Sequence, residues 1–178
     1  MPAMNATSAT GTGAQNPVFK TGHRAKAPRD LVWRMWTEAE HLVRWWGAAG
    51  CTVGKCDLDL RVDGSFHYQL MFPNGMEVWG KFVFREITAP DRLVVLNGFS
   101  NPEGDFAASP FPGDWPRQML TVITFKDLGD ETEISLTSEP FNATVAQQAT
   151  FAATMPSMFG GWGGTFARLD DHLKDHAN

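Results

Sequence analysis

Residues 142–174 read NATVAQQATFAATMPSMFGGWGGTFARLDDHLK. Thr144 and Gln147 fit a capping box at the start of a helix. Pro156 predicts a kink, or a break between two helices. The large apolar residues that follow the cap recur at intervals of 4, 3, 1, 3, 4, 3 and 4, which places them on one helix face: Phe151, Met155, Met158, Phe159, Trp162, Phe166, Leu169 and Leu173. The stretch therefore predicts a long C-terminal helix with one apolar side.

Four glycines interrupt this helix, at Gly160, Gly161, Gly163 and Gly164. Each costs up to about 1 kcal/mol relative to alanine in a helix interior. Either another backbone approaches closely there, or space beside the helix is kept open. The sequence leaves both explanations standing.

Upstream of this helix, the hydrophobic pattern alternates between two periods. A strand is predicted at 18–26, a helix that opens with Pro28 follows, and a second short helix covers 38–45. Six further segments then show strand periodicity at hairpin spacing, which predicts one antiparallel meander: 51–63, 65–72, 76–87, 92–98, 118–126 and 132–139. The predicted architecture is an antiparallel sheet curled around the terminal helix.

This order of elements resembles the START-like superfamily, also called SRPBCC or helix-grip, and within it the branch named after the activator of heat-shock protein 90 ATPase. The resemblance runs from about residue 17 to 175 and rests on short pieces in order: APRDLVW at 27–33, HL at 41–42, WWG at 45–47, DLDLRVDG at 57–64, REI at 85–87, PDRLV at 90–94, SM at 157–158, GW at 161–162 and RL at 168–169. It implies an α+β helix-grip fold, with a seven-stranded antiparallel sheet and two short helices between strands 1 and 2. Because the superfamily includes lipid carriers, hormone receptors and cyclases, the fold alone does not assign a function.

The domain plan follows from length and composition. The chain has 178 residues, enough for one domain with a tail. Residues 1–16 contain no charge and no aromatic side chain, which predicts a flexible tail ahead of a single domain at 17–176. That tail has no signal-peptide pattern, and Cys51 and Cys56 would lie roughly 16 Å apart along one strand, too far for a disulfide. We therefore expect a reduced, cytoplasmic protein.

Charge and motifs exclude several function classes. The 15 basic and 20 acidic residues give a net charge of −5, and no Lys/Arg run occurs, which argues against binding to nucleic acid. No apolar run is long enough to span a membrane. The sequence contains no G-x-S-x-G, H-E-x-x-H or P-loop motif, so we expect no cofactor and no nucleotide chemistry.

Histidines supply two weaker candidates. His67 lies mid-strand between Phe66 and Tyr68, and on the concave face it could bind or protonate a ligand. His172 and His176 have metal-ligand spacing, but a solvated helix end explains them better, so no metal is predicted. Asp57, Asp59, Arg61 and Asp63 are predicted to share one strand face, either solvated or, if turned inward, presenting Arg61 to a carboxylate ligand.

Aromatic residues are the main functional evidence. The chain has 13 Phe, 7 Trp and 1 Tyr. The loop at 100–116 is aromatic-rich and is either a flap over an apolar ligand or a loop pinned by its own side chains. A curled sheet that grips a helix tends to leave an apolar cavity. The pocket candidates are Trp46, Phe66, His67, Tyr68, Leu70, Trp79, Phe82, Phe84, Trp115, Met119, Met155, Phe159 and Trp162.

The first functional hypothesis is accordingly a soluble protein that binds a small hydrophobic or aromatic molecule between sheet and helix. An enzyme of cyclase or hydrolase type, acting on an apolar substrate through His67 or Tyr68, is the alternative. A chaperone-associated interaction module is the second alternative. A homodimer formed through exposed tryptophans also stays open as a partner.

Overall fold

A computed structural model describes residues 16–176 as one seven-stranded sheet with three helices. The elements run in the order β1 (Phe19–Ala25), α1 (Arg29–Thr37), α2 (Ala39–Trp45), β2 (Thr52–Leu58), β3 (Ser65–Met71), β4 (Glu77–Thr88), β5 (Arg92–Phe99), β6 (Gln118–Asp127), β7 (Thr132–Phe141) and α3 (Val145–Lys174). This is the α+β helix-grip arrangement, and the prediction of the fold class is confirmed. The tail predicted at 1–16 lies almost wholly outside the described residues.

The sheet is an antiparallel meander to which the first strand is added at one edge, beside the last strand. Strands β2 to β6 each pair with the next strand in sequence, and the spatial order is β1-β7-β6-β5-β4-β3-β2. β1 joins the far side of β7, with Phe19 opposite Ser138 and Ala25 opposite Thr132. The polypeptide between β1 and β2 forms α1 and α2, whose apolar sides pack into the same core as the inner sheet face.

α3 begins as predicted and continues through its proline. Thr144 accepts a hydrogen bond from the Gln147 backbone N–H, and the Gln147 side chain accepts one from the Thr144 backbone, which completes the capping box. The helix is unbroken from Val145 to Lys174, so Pro156 does not divide it into two. No helix among residues 16–176 combines the length and the hydropathy needed to cross a membrane.

The strand predicted to run through Asp63 ends earlier, at Leu58. Residues 59–64 form a turn instead, in which Leu60 and Val62 are 39% and 54% exposed. The turn packs on β4, because the Asp63 N–H donates to the Phe84 carbonyl and the Phe84 N–H donates to the Gly64 carbonyl. Apolar residues at alternate positions of this turn imitate the period of a strand.

Because the strand ends at Leu58, Asp57, Asp59, Arg61 and Asp63 do not share one strand face. Arg61 lies at the surface, where its Nε donates to Asp59 Oδ2 at 2.8 Å. The alternative in which Arg61 faces inward and binds a carboxylate ligand is therefore wrong, and the solvated alternative holds for this residue. Cys51 and Cys56 are both free thiols, as the sequence predicts.

Candidate functional site

The two faces of the sheet divide the predicted site residues. Successive side chains of a strand point to opposite faces. Phe66 and Phe82 lie directly opposite each other on β3 and β4, and both rings contact Trp46 beneath the sheet. His67 and Lys81 form the neighbouring pair and therefore lie on the outer face. The inner face also holds the predicted residues Tyr68, Leu70, Phe84 and Met119.

An aromatic cluster centred on Trp46 occupies the space beneath this inner face. Trp46 follows α2 directly, and its ring contacts six aromatic neighbours at centroid distances of 5.3 to 6.0 Å: Trp36, Trp45, Phe66, Tyr68, Phe82 and Trp162. All six rings meet Trp46 edge to face, an arrangement that the aromatic quadrupole favours. The cluster joins α1, α2, the sheet and α3.

Side chains of α3 fix the position of Trp46 by hydrogen bonds to the backbone of residues 46–48. Arg168 Nη1 donates to the carbonyl oxygens of Trp46 and Ala48, each at 3.0 Å. Thr165 Oγ1 donates to the Gly47 carbonyl at 3.1 Å. Gly47 has a φ of 99°, and a side chain there would overlap Leu70, so only glycine fits this exit from α2.

Two polar atoms of the cluster lack the partners that buried polar groups usually have. The indole Nε1 of Trp46 is buried and makes no hydrogen bond within the described chain, and the same holds for Trp36 Nε1. Burial raises the pKa of Tyr68 to about 12. The Trp46 indole N–H partly offsets this rise because it lies near the Tyr68 oxygen, but the two groups do not have the geometry of a hydrogen bond. Gly80 on β4 makes room for the Tyr68 ring, which any larger residue would overlap.

A row of polar side chains crosses the inner face beside the aromatic cluster. Thr121 Oγ1 donates to Asn97 Oδ1 at 2.6 Å and lies 2.9 Å from Ser138 Oγ. Asn97 pairs with Phe82 and Met119 across the strands, so the row borders the predicted pocket residues. Sequence reasoning missed these three residues. The sequence could have indicated Thr121, because it lies two residues from both Met119 and Ile123 and therefore on the same face of the strand.

The N-terminal half of α3 covers this face loosely. Between residues 145 and 164 only Phe151 is a buried side chain. Met155 and Trp162 are partly buried, and Phe159, although its ring packs 4.7 Å from that of Phe19, is 52% exposed. A side-chain carbon at Gly160, Gly161 or Gly163 would meet no atom within 4 Å. Close backbone approach does not explain these glycines.

The first part of the aromatic-rich loop covers the outer sheet face. The backbone oxygen of Asn101 accepts from His67 Nε2 at 3.0 Å, and Lys81 Nζ donates to the Gly104 oxygen at 2.7 Å. His67 is 7% exposed as a result, and its ring lies 5.3 Å from that of Trp79. His67 and Trp79 are thus brought together with each other, but apart from the inner-face residues.

The second part of the loop reaches the start of α3. The Trp115 ring lies 5.3 Å from Phe151, and Gln147 Nε2 donates to Asp114 Oδ1 at 3.4 Å. Phe111 packs 5.9 Å from Phe99 at the end of β5. Trp115 therefore closes one end of the space between sheet and helix, and its buried indole Nε1 makes no hydrogen bond in the described chain.

None of five surface depressions found on the described chain lies between the inner sheet face and α3. The inner face and the helix are in contact through side chains. All seven tryptophans are buried or partly buried, so an interface built from exposed tryptophans has no support among the described residues.

Comparisons with known proteins place this architecture. No curated protein matches the sequence. Similar solved structures include a protein from Arthrobacter aurescens, with 25% identity over 90% of this chain and 88% of that chain and a TM-score of 0.73. A protein from Nitrosomonas europaea has 24% identity over 89% and 95% of the two chains, with a TM-score of 0.70. The AHSA1 protein from Silicibacter pomeroyi has 12% identity over 90% and 99%, with a TM-score of 0.69.

The likenesses below 25% identity show the fold alone. The sequence model of one family, described as Activator of Hsp90 ATPase homolog 1-like protein, matches residues 26–174 and so covers well over half of the chain. The chain belongs to the family of activator of Hsp90 ATPase homolog 1-like proteins.

Proposed function

We propose that this protein binds a neutral, apolar small molecule with an aromatic ring, between the inner sheet face and the N-terminal half of α3. The observation that carries the proposal is the buried Trp46 indole N–H, which makes no hydrogen bond in the described chain although it lies at the centre of an aromatic cluster. A buried donor without a partner costs about 1–3 kcal/mol. A ligand that brings an acceptor atom to this point offsets that cost.

The polar groups around Trp46 suit a ligand with one or two oxygen atoms. Tyr68 stays a neutral phenol up to strongly alkaline pH, so its hydroxyl is available to donate or accept a hydrogen bond. The row formed by Asn97, Thr121 and Ser138 adds hydroxyl and amide groups on the same face. A mostly apolar site with a few converging polar groups is typical of small-molecule binding.

The charge of the site favours a neutral ligand. The residues of β3 to β6 that share the inner face with Phe66 include no Asp, Glu, Lys or Arg apart from the exposed Asp127 at the very end of β6. A charged ligand would lose its hydration there without gaining a partner of opposite charge. The predicted class, a hydrophobic or aromatic molecule, is therefore kept, and it is narrowed to molecules without a net charge.

Entry of the ligand requires the N-terminal half of α3 to move from the sheet. This half contributes one buried side chain, Phe151, whereas the C-terminal half is held by Phe166, Leu169 and Leu173. Segments with few buried apolar contacts open at the lowest free-energy cost. The glycine cluster lies at the boundary between the two halves, where it lowers the intrinsic stability of the helix.

The test is a fluorescence titration with 1-naphthol, which combines an aromatic double ring with an oxygen acceptor. The wild-type chain, Trp46→Phe and Trp79→Phe are compared; Trp79 is the matched control because it lies on the outer sheet face. We expect saturable 1:1 binding that Trp46→Phe weakens by about tenfold, as the loss of one hydrogen bond predicts. Trp79→Phe should bind like the wild type.

Absence of saturable binding, or equal affinities of the two variants, would contradict the proposal. Naphthalene is the matched ligand control, because it has the same ring system without the oxygen. Naphthalene should bind the wild type more weakly than 1-naphthol does. Its affinity for Trp46→Phe should equal its affinity for the wild type.

The enzyme alternative is narrowed by the position of its two candidate residues. His67 lies under the loop on the outer face, so among the two only Tyr68 faces the proposed ligand. With a pKa of about 12, Tyr68 is suited to donate a hydrogen bond and not to act as a base near neutral pH. The chaperone-associated alternative rests on the family description, and retention on an immobilised chaperone is its test.

A further inference from the structure

Three histidines outside the proposed ligand site meet where α2 passes the C-terminal end of α3. His41 belongs to α2, His172 to the last turn of α3, and His176 lies two residues beyond that helix. His41 Nδ1 lies 3.0 Å from His172 Nε2. The His176 ring lies 5.0 Å from that of His41 and 4.5 Å from that of His172. One nitrogen from each ring lies within 4.8 Å of the others.

These separations are close to those of a metal centre. In a tetrahedral zinc site with Zn–N bonds of 2.0–2.1 Å, two ligand nitrogens lie about 3.3 Å apart. His172 and His176 occupy positions i and i+4, which brings both side chains to the same side of the chain. A small change of side-chain torsions is sufficient to direct all three rings at one ion.

Neighbouring oxygen atoms indicate which nitrogen atom of His176 and of His41 would bind the ion. His176 Nδ1 lies 2.9 Å from the His172 carbonyl oxygen, which can only accept, so Nδ1 carries the proton and Nε2 keeps its lone pair. On the other side of the cluster, Glu38 Oε2 lies 3.5 Å from His41 Nε2. Arg34 holds that carboxylate with its Nε 3.0 Å from Glu38 Oε1. A carboxylate behind a histidine is the usual outer partner of a ligating imidazole.

His41 directs one ring nitrogen into the cluster and the other toward Glu38. The ring is 6% exposed, its Nδ1 faces His172 Nε2, and its buried Nε2 lies beside the Glu38 carboxylate without a hydrogen bond in the described chain. The cluster opens to the surface through a depression of about 600 Å³, which gives an ion a path to the histidines. Its rim includes Asp175, Glu40 and Arg44, so carboxylates offset the arginine charge.

We infer that His41, His172 and His176 form a binding site for one divalent transition-metal ion of the zinc class, with water or Asp175 as the fourth ligand. Neutral imidazoles in a four-coordinate arrangement select zinc, cobalt, nickel or copper over magnesium and calcium. The ion would connect two elements that are 131 residues apart in sequence. Because the three histidines come together only in the folded chain, binding of the ion stabilises the folded state.

The test is a calorimetric titration of the chelator-treated full chain with zinc chloride near neutral pH. The wild type should bind one equivalent, and His172→Gln and His176→Gln should each weaken binding by at least about tenfold. His176 is exposed beyond the last helix, so its variant folds. His23→Gln is the matched control, because His23 pairs with Asp170 on a different face of α3.

A second readout uses cobalt chloride, whose visible absorption is intense in four-coordinate sites. The wild type and His23→Gln should give the four-coordinate spectrum, and His176→Gln should lose it. Absence of saturable zinc binding to the wild type would overturn the inference. So would wild-type affinity and an unchanged cobalt spectrum in His176→Gln.

Discussion

Tyr68 is the one tyrosine of the chain, so a spectroscopic signal from tyrosine reports this residue alone. Its ring contacts Trp46 and Phe66 and lies over Gly80, and this enclosure disfavours the phenolate. The phenol is therefore a fixed hydrogen-bonding group of the inner face across the physiological pH range.

Alkaline titration tests the enclosure of Tyr68. Tyrosinate absorbance of the folded protein should appear near pH 12, whereas the tyrosine of the chain unfolded in guanidinium chloride should titrate near its ordinary pKa of 10. Because the unfolded chain loses this proton at lower pH, stability should fall as pH rises above 10. A folded-state midpoint near 10 would show that Tyr68 is open to water.

The position of His67 shows which feature of a strand residue the sequence alone does not determine. The alternation of Phe66, His67 and Tyr68 establishes that the histidine and its neighbours lie on opposite faces, but not which face is concave. The structure assigns the inner face to Phe66 and Tyr68 through their contacts with Trp46, which comes from another element.

Most of the elements were predictable because their periods are local. The capping box at Thr144 and the hairpin spacing of the strands depend on residues a few positions apart, and both predictions are confirmed. The turn at 59–64 was not predictable, because Leu60 and Val62 repeat at the period of a strand while their side chains stay exposed. Only the hydrogen bonds to β4 distinguish the turn from a strand.

The glycine cluster of α3 allows a direct test of what limits the stability of this helix. A methyl group at Gly160 would meet no neighbouring atom, and alanine loses less backbone entropy than glycine in a helix. Gly160→Ala should therefore raise the free energy of unfolding by about 0.5–1 kcal/mol, measured by urea denaturation. Gly47→Ala is the opposite control and should destabilise, since its φ of 99° and its contact with Leu70 both require glycine. Destabilisation by Gly160→Ala would reveal a close neighbour of α3.

At the scale of the whole molecule, the two proposed sites depend on contacts that no local pattern contains. Trp46 meets Trp162 across 116 positions of sequence only because α3 folds back under the sheet. His41 reaches His172 in the same way, which is why the sequence favoured a solvated helix end for His172 and His176. The aromatic content predicted an apolar site, but its polar row and its unpaired indole required the tertiary structure.

The central claim is that a ligand acceptor reaches the Trp46 indole N–H between sheet and α3. The most direct measurement is a ¹⁵N–¹H correlation spectrum of the full chain, in which seven tryptophans give seven indole signals, assigned with single Trp→Phe variants. On addition of 1-naphthol, the Trp46 signal should move downfield as its hydrogen bond forms, and Trp162 should shift with it. The Trp79 signal, on the outer face, should stay in place. An unmoved Trp46 signal at saturating 1-naphthol, or a larger shift at Trp79, would contradict the account.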